Sequence, residues 1–141
     1  MFKSTKTMAG FTLLELIAVI AIVAILALIS VPIYENYLAK ARFQNVISVA
    51  TGYKAKVEQC IQSQGGLTGA TVANCSQLAA PTAMPQFVDA VEITDGTGVI
   101  KVTAVNSLGL DAKTYEITPV LSNGLVTWTQ SGTCQNSPAL C

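Results

Sequence analysis

The side chains in this sequence that could perform chemistry are four cysteines and eight carboxylates, and histidine is absent. Without histidine the chain cannot build a Ser-His-Asp or Cys-His catalytic centre, or a histidine-ligated metal site. The acidic residues are scattered, and no glycine-rich phosphate-binding loop accompanies them. These observations predict a protein that is not an enzyme and that carries neither a metal ion nor another cofactor.

The cysteines are spaced for disulfide chemistry rather than for zinc binding. Zinc sites commonly use close C-x-x-C pairs, and the four cysteines of this chain form no such pair. They are Cys60, Cys75, Cys134 and Cys141. Disulfides persist in oxidising compartments, so this part of the chain is expected in the periplasm or outside the cell. Four cysteines allow three pairings, and the spacing leaves them open.

A long uncharged stretch near the N-terminus predicts a membrane-spanning helix. Charged residues make up only 11% of the chain, and none of them lies between Leu16 and Tyr34. As a helix this stretch would extend for about 28 Å, close to the ~30 Å hydrocarbon core of a bilayer. A cleavable signal peptide is the alternative, but its apolar region is shorter, about 7–15 residues, and a small-residue cleavage site follows it.

Glu15 is the unusual residue, because it lies at the start of this apolar stretch. A carboxylate at bilayer depth costs on the order of 2–3 kcal/mol or more. One interpretation places it at the membrane interface in the first helical turn, where the helix dipole stabilises an acid. The other gives it a cationic partner within the membrane. The physical chemistry of the residues does not choose between them.

The helix is predicted to continue beyond the membrane. Apolar residues recur at helical spacing between Lys40 and Ser63, with charged residues between them. These apolar residues are Val46, Ala50, Tyr53, Val57 and Ile61. We therefore predict one helix from about Phe11 to about Ser63, apolar all round in its first half and amphipathic in its second. A loop over 64–86 follows, with a short helical piece near Cys75 to Ala80.

From Phe87 onward the hydrophobic pattern changes to the period of two that is typical of strands. Four candidate strands cover 87–94, 99–105, 114–122 and 125–131. Asn123-Gly124 joins the last two, and this dipeptide is the strongest short hairpin signal. The predicted fold class is α+β, in which a four-stranded antiparallel sheet over 87–131 packs on the amphipathic half of the helix.

The N-terminal residues resemble those of type IV pilin precursors, and in particular the type IVa subclass. A short basic leader ends at Gly10, Phe11 follows, and Glu15 lies at the family spacing after the glycine. The apolar helix that comes next contains Pro32. Many members carry glycine where this chain has Ala24, so loosening of the helix would depend more on Pro32, which removes a backbone donor.

The resemblance implies processing and assembly. A prepilin peptidase would cut between Gly10 and Phe11 and N-methylate Phe11. The pilus assembly machinery of the bacterial inner membrane would then move the subunit from lipid into a helical filament of identical copies, where Glu15 would neutralise the amine of a neighbour's Phe11. The implied organisation is a leader over 1–10, a transmembrane and assembly helix over 11–36, and a globular periplasmic or extracellular head over 37–141.

The resemblance also implies sequential disulfide pairing. Cys60–Cys75 would tie the end of the helix to the following loop. Cys134–Cys141 would close a C-terminal loop like the disulfide-bounded region of pilins. The residues inside that loop are turn-rich and mostly small, so we expect little contribution from them to the core.

The function that the resemblance implies is that of a structural subunit of a type IV pilus, used for adhesion, twitching motility or DNA uptake. A minor pilin or a type II secretion pseudopilin is the alternative, although pseudopilins usually lack the C-terminal disulfide loop and often hold calcium there. A membrane-anchored binding module that never polymerises is a third hypothesis, which Glu15 beside the Phe11 start disfavours. Without Lys3 and Lys6 the chain has six basic and eight acidic residues, so direct nucleic-acid binding by the monomer is not expected.

Overall fold

The computed structural model describes residues 10–70 and 73–141. Residues 1–9, which include Lys3, Lys6 and most of the predicted leader, lie outside the described part of the chain. The chain consists of two compact units, the first ending at Tyr34 and the second comprising Glu35–Cys141. The second unit is called the head below.

One long helix, α1, spans Leu13–Gln64. Its C-terminal end is set by Gly65, which adopts a φ of 73°, and by the amide of Gly66, which donates to the carbonyl of Ile61 at 3.0 Å. This is the geometry of a Schellman motif, in which a glycine in the left-handed conformation satisfies carbonyls that the helix leaves unpaired. The helix therefore ends where the Gly-Gly pair stops the amphipathic pattern, close to the predicted end at Ser63.

The head contains a four-stranded antiparallel sheet in which the strands follow one another in chain order. The strands are β1 (Val88–Ile93), β2 (Ile100–Ala104), β3 (Thr114–Ser122) and β4 (Leu125–Ser131). Asn123 and Gly124 join β3 to β4 with φ values of 50° and 79°, the two positive angles that a type I′ hairpin turn needs. The predicted α+β fold, a long helix with a four-stranded antiparallel sheet, is confirmed.

The hydrophobic core of the head lies between the sheet and residues 39–61 of α1. Every apolar position that the helical spacing singled out is buried, as are the alternate residues Ile100, Val102 and Ala104 of β2. The remaining buried residues of the helix include Ala39, Phe43 and Cys60. Gly98, just before β2, allows the turn to approach the helix, since a Cβ there would lie 3.1 Å from Val57 and 3.2 Å from Pro119.

Short 3₁₀ turns occupy the loops of the head at Leu67–Gly69, Ser76–Leu78 and Thr133–Gln135. The second of these lies within the short helical piece that was predicted near Cys75 to Ala80, and its Leu78 is buried in the core. The third opens the C-terminal segment, which the sequence pattern did not assign to any element. These turns bring both ends of each cysteine-bearing loop back to the helix and sheet.

Candidate functional site

The N-terminal segment is organised by a helix cap. The side-chain Oγ1 of Thr12 accepts a hydrogen bond from the amide of Glu15 at 3.2 Å, and its carbonyl accepts one from Leu16 at 3.2 Å. Thr12 and Glu15 form the T-x-x-E pattern of a capping box. The cap determines where the helix begins and leaves Gly10 and Phe11 outside it. Sequence reasoning missed Thr12, although the local pattern could have identified it.

Gly10 and Phe11 lie on an open stretch of backbone. A Cβ added to Gly10 would meet no atom within 4 Å, and Phe11 is 82% exposed. The peptide bond between these two residues therefore lies before the first helical turn, and no residue from 12 onward that the structure describes packs against Gly10. This is the bond at which the resemblance expects cleavage.

Glu15 lies in the first turn of α1 with its side chain exposed. An acid at this position interacts favourably with the positive end of the helix dipole. A position in the first turn is compatible with both interpretations of Glu15. The second interpretation requires a cation from another chain and concerns the assembled state.

The first part of α1 presents apolar side chains to all sides. The large apolar side chains from Leu13 to Ile33 that the structure describes are all exposed, each by about half or more. Ser30 satisfies its own hydroxyl by donating to the carbonyl of Leu26 at 2.8 Å. The helix is long and apolar enough to cross a membrane. Pro32 lies within the helical span. Apolar surface of this extent is stable only in lipid or against other protein surfaces.

Two disulfides close the cysteine-bearing segments of the head. Cys60 is bonded to Cys75 with a Cα–Cα distance of 6.0 Å, and Cys134 is bonded to Cys141 at 5.4 Å. The first bond ties the last turns of α1 to the loop that follows. The second closes the C-terminal loop, residues 134–141. These are the pairs of the sequential arrangement.

The C-terminal loop is anchored in the core at both ends. Cys134 is fully buried and Leu140 is 1% exposed, and the amide of Leu140 donates to the carbonyl of Cys134 at 2.8 Å. The expectation that the loop contributes little to the core is therefore wrong for Leu140, which packs beneath it. Residues 135–139 between these anchors have exposed side chains. The loop thus combines a buried base with an exposed polar surface.

A polar contact joins α1 to the edge strand β4. The indole Nε1 of Trp128 donates to Oε1 of Glu58 at 2.6 Å, and Nζ of Lys54 lies 5.6 Å from the centre of the Trp128 ring. Val126 and Trp128 on the edge strand β4 are half-buried. Trp128 and Glu58 are 70 positions apart, so the sequence pattern could not name Glu58 as the partner of Trp128.

Two tyrosines contribute to the same core. The hydroxyl of Tyr53 donates to the carbonyl of Ala79 at 3.2 Å and so holds the loop after α1 against the helix. Burial raises the pKa of Tyr53 and of Tyr115 on β3, because the charged phenolate is poorly solvated there. Both groups are therefore stabilised in their neutral form.

Comparison with known proteins agrees with this architecture. The pilin family of bacterial filaments matches residues 39–141, and the prokaryotic N-terminal methylation motif matches residues 5–31. The chain is 34% identical over 133 residues to prepilin peptidase-dependent protein D of Escherichia coli, covering 93% of this chain and 87% of that protein. It is 44% identical over 66 residues to type IV pilus subunit protein TapA of Aeromonas hydrophila, covering 47% of this chain and 46% of that one.

The two matched patterns correspond to the two units of the structure. The methylation motif includes Gly10, Phe11 and Glu15 and covers most of the apolar part of α1, whereas the pilin match covers nearly all of the head. A capped apolar helix, a four-stranded antiparallel sheet and a disulfide-closed C-terminal loop accompany these matches. The chain belongs to the pilin family, whose members are structural proteins of bacterial filaments.

Proposed function

We propose that this protein is the major subunit of a type IV pilus. The observation that carries the proposal is the exposed apolar surface of α1 between Leu13 and Ile33. Such a surface needs lipid before assembly and neighbouring helices after it, so the precursor would be a single-pass protein of the bacterial inner membrane. The pilus assembly machinery would move it from there into an extracellular homopolymer that serves adhesion, twitching motility or DNA uptake.

The proposed processing begins with prepilin peptidase cutting after Gly10 and methylating the new amine of Phe11. Because the capped helix begins beyond these residues, the bond to be cut is not held in helical hydrogen bonds. Mass spectrometry of protein sheared from the cell surface tests this step. We expect an N-terminal N-methylated Phe11. An N-terminus at Met1, or cleavage after Ser30, would refute it.

In the filament Glu15 would pair with the amine of a neighbour's Phe11. At about 4 Å and an effective dielectric near 20, such a pair is worth on the order of 4 kcal/mol before desolvation. Glu15→Ala should therefore leave the subunit in the membrane, since an uncharged helix inserts at least as well, but should reduce surface filaments. Glu35→Ala, which removes an exposed acid from the same helix, is the matched control and should assemble normally. Normal piliation with Glu15→Ala would contradict the proposal.

The distinction between a major and a minor subunit rests on abundance. Shearing filaments from cells and quantifying their composition should show this chain as the bulk component. If it is instead a trace component, the minor-pilin alternative is correct. The disulfide between Cys134 and Cys141 favours a pilus subunit over a secretion pseudopilin, because pseudopilins usually lack this loop. We propose that the loop lies on the outer surface of the filament.

A further inference from the structure

Lys113 is a buried cation with no role in the assembly scheme. Among the residues that the structure describes, it is the only charged residue that is buried, at 8% exposure. It lies immediately before β3, beneath the C-terminal loop. Burying an ammonium group is costly unless hydrogen bonds replace its hydration. The partners of this group therefore indicate what its burial accomplishes.

The ammonium group is bound by two main-chain carbonyls of the C-terminal loop. Its Nζ donates to the carbonyl of Asn136 at 2.8 Å and to that of Pro138 at 2.6 Å. No carboxylate in the described part of the chain forms an ion pair with it. Hydrogen bonds from a charged donor are shorter and stronger than those between neutral groups. The loop carbonyls thus take the place of water and of a counter-ion.

These two bonds act on a part of the loop that the disulfide does not reach. The Cys134–Cys141 bond constrains the ends of the loop, and the buried Leu140 fixes its C-terminal side. The carbonyls of Asn136 and Pro138 belong to the middle of the loop and turn inward to Lys113. The side chains of residues 135–139 are exposed. The backbone in the middle of the loop is therefore held by Lys113, a residue outside the loop.

We propose that Lys113 is a positioning residue that determines the backbone conformation of the C-terminal loop independently of the disulfide. The surface that residues 135–139 present then depends on Lys113, which lies immediately before β3 and 23 and 25 positions before the two residues whose carbonyls it binds. An ordered loop loses less conformational entropy when it meets a partner than a flexible one does. The proposal does not depend on the proposed pilus function, since it concerns contacts within the head of a single chain.

The first test needs no substitution. In the full chain in detergent micelles, the ¹⁵N-labelled ammonium of Lys113 should give a slowly exchanging signal by NMR, because its protons are buried and hydrogen-bonded. The ammonium of Lys101, which is partly exposed and pairs with Glu92 at 3.2 Å, is the internal control and should exchange faster. The slow signal should persist in Cys134→Ser/Cys141→Ser, in which the disulfide is absent. A Lys113 ammonium that exchanges as fast as that of Lys101 in the oxidised protein would overturn the proposal.

The second test removes the ammonium group. Lys113→Met keeps the length of the side chain, with the disulfide intact. It should raise the exchange rate of the Asn136 amide, which donates to the carbonyl of Thr133 at 3.0 Å, at least about tenfold. Exchange of amides in β2 should remain slow, which shows that the sheet is folded. Lys101→Met is the matched control and should leave the Asn136 rate unchanged, whereas Lys113→Arg should retain part of the protection. Unchanged Asn136 exchange in a folded Lys113→Met variant would overturn the proposal, and if that variant does not fold, the ammonium signal decides.

Discussion

The contact between Trp128 and Glu58 can be measured as a free energy. It connects the edge strand β4 to α1 across a hydrogen bond of 2.6 Å. We expect Glu58→Ala to destabilise the head, because the half-buried indole N–H of Trp128 loses its charged acceptor. We expect Glu58→Gln to cost less, since the amide oxygen of glutamine can still accept the bond.

The expected size follows from the geometry. A hydrogen bond to a charged group contributes about 1.5–3 kcal/mol net, and a neutral one about 0.5–1.5 kcal/mol. Trp128 is half-buried, so water can replace part of the lost bond in Glu58→Ala. We therefore expect a loss of about 1–2 kcal/mol for Glu58→Ala and about half of that for Glu58→Gln. Neither variant removes Lys54, whose Nζ lies 5.6 Å from the centre of the Trp128 ring.

Trp128 is the only tryptophan in the chain, so its fluorescence reports unfolding of the head directly. Urea unfolding of the full chain in micelles, followed by fluorescence and by circular dichroism, gives the free energy of unfolding. A double-mutant cycle with Trp128→Phe, followed by circular dichroism alone, isolates the coupling between the two side chains. Glu92→Ala, which breaks the exposed 3.2 Å ion pair with Lys101, is the control and should cost less than about 1 kcal/mol.

The coupling energy is the decisive quantity. A value of about 1 kcal/mol or more supports the hydrogen bond as a determinant of how β4 packs on the helix. A coupling below about 0.3 kcal/mol, the range of independent sites, would refute the reasoning. A loss in Glu58→Ala as small as that in the Glu92→Ala control would do the same.

Two further predictions concern the backbone and the buried hydroxyls. Gly132→Ala should cost about 3 kcal/mol or more in urea unfolding, because Gly132 has a φ of 119° and a Cβ would collide with the carbonyl oxygen of Thr114. Gly124→Ala, with open space and a φ of 79°, should cost only about 1–2 kcal/mol, and equal losses would contradict the steric argument. The raised pKa values of Tyr53 and Tyr115 mean that the folded state favours the neutral phenols. Their contribution to the free energy of unfolding is therefore complete below the unfolded-state pKa of about 10, and it is lost as the pH rises through the folded-state pKa values. Urea unfolding at increasing alkaline pH should show the decline, and Tyr115→Phe should reduce it; a pH-independent free energy would disprove it.

Local sequence patterns determined the elements of this protein and their order. Gly65-Gly66 ends α1 because only a residue that tolerates positive φ fits there, and Asn123-Gly124 forms the tightest hairpin for the same reason. The spacing of Val46, Ala50 and Val57 identified the buried face of the helix, since a period of 3.6 residues defines one face. The capping box at Thr12 belongs with these local signals, because its two partners are three residues apart.

The processing motif is also legible in the sequence itself. Gly10, Phe11 and Glu15 precede an uncharged stretch of bilayer length, and these features depend on residue types and spacing rather than on packing. In the described single chain Glu15 lies in the capped first turn with an exposed side chain. The proposed partner of Glu15 belongs to a second chain, so a test of it requires the assembled filament.

Tertiary structure alone decided which distant side chains meet. Trp128 and Glu58 are 70 positions apart, and Lys113 reaches carbonyls 23 and 25 positions later. Residue type gives no indication of such partners, because the register of β3 with β4 and the packing of the sheet on α1 bring them together. Leu140 shows the same limit, since a lone leucine in a turn-rich segment carries no periodicity. Local backbone preferences and hydrophobic period specify the helix, the strands, their hairpin and the long apolar segment. The conformation of the C-terminal loop depends instead on long-range contacts that exist only once the chain has folded.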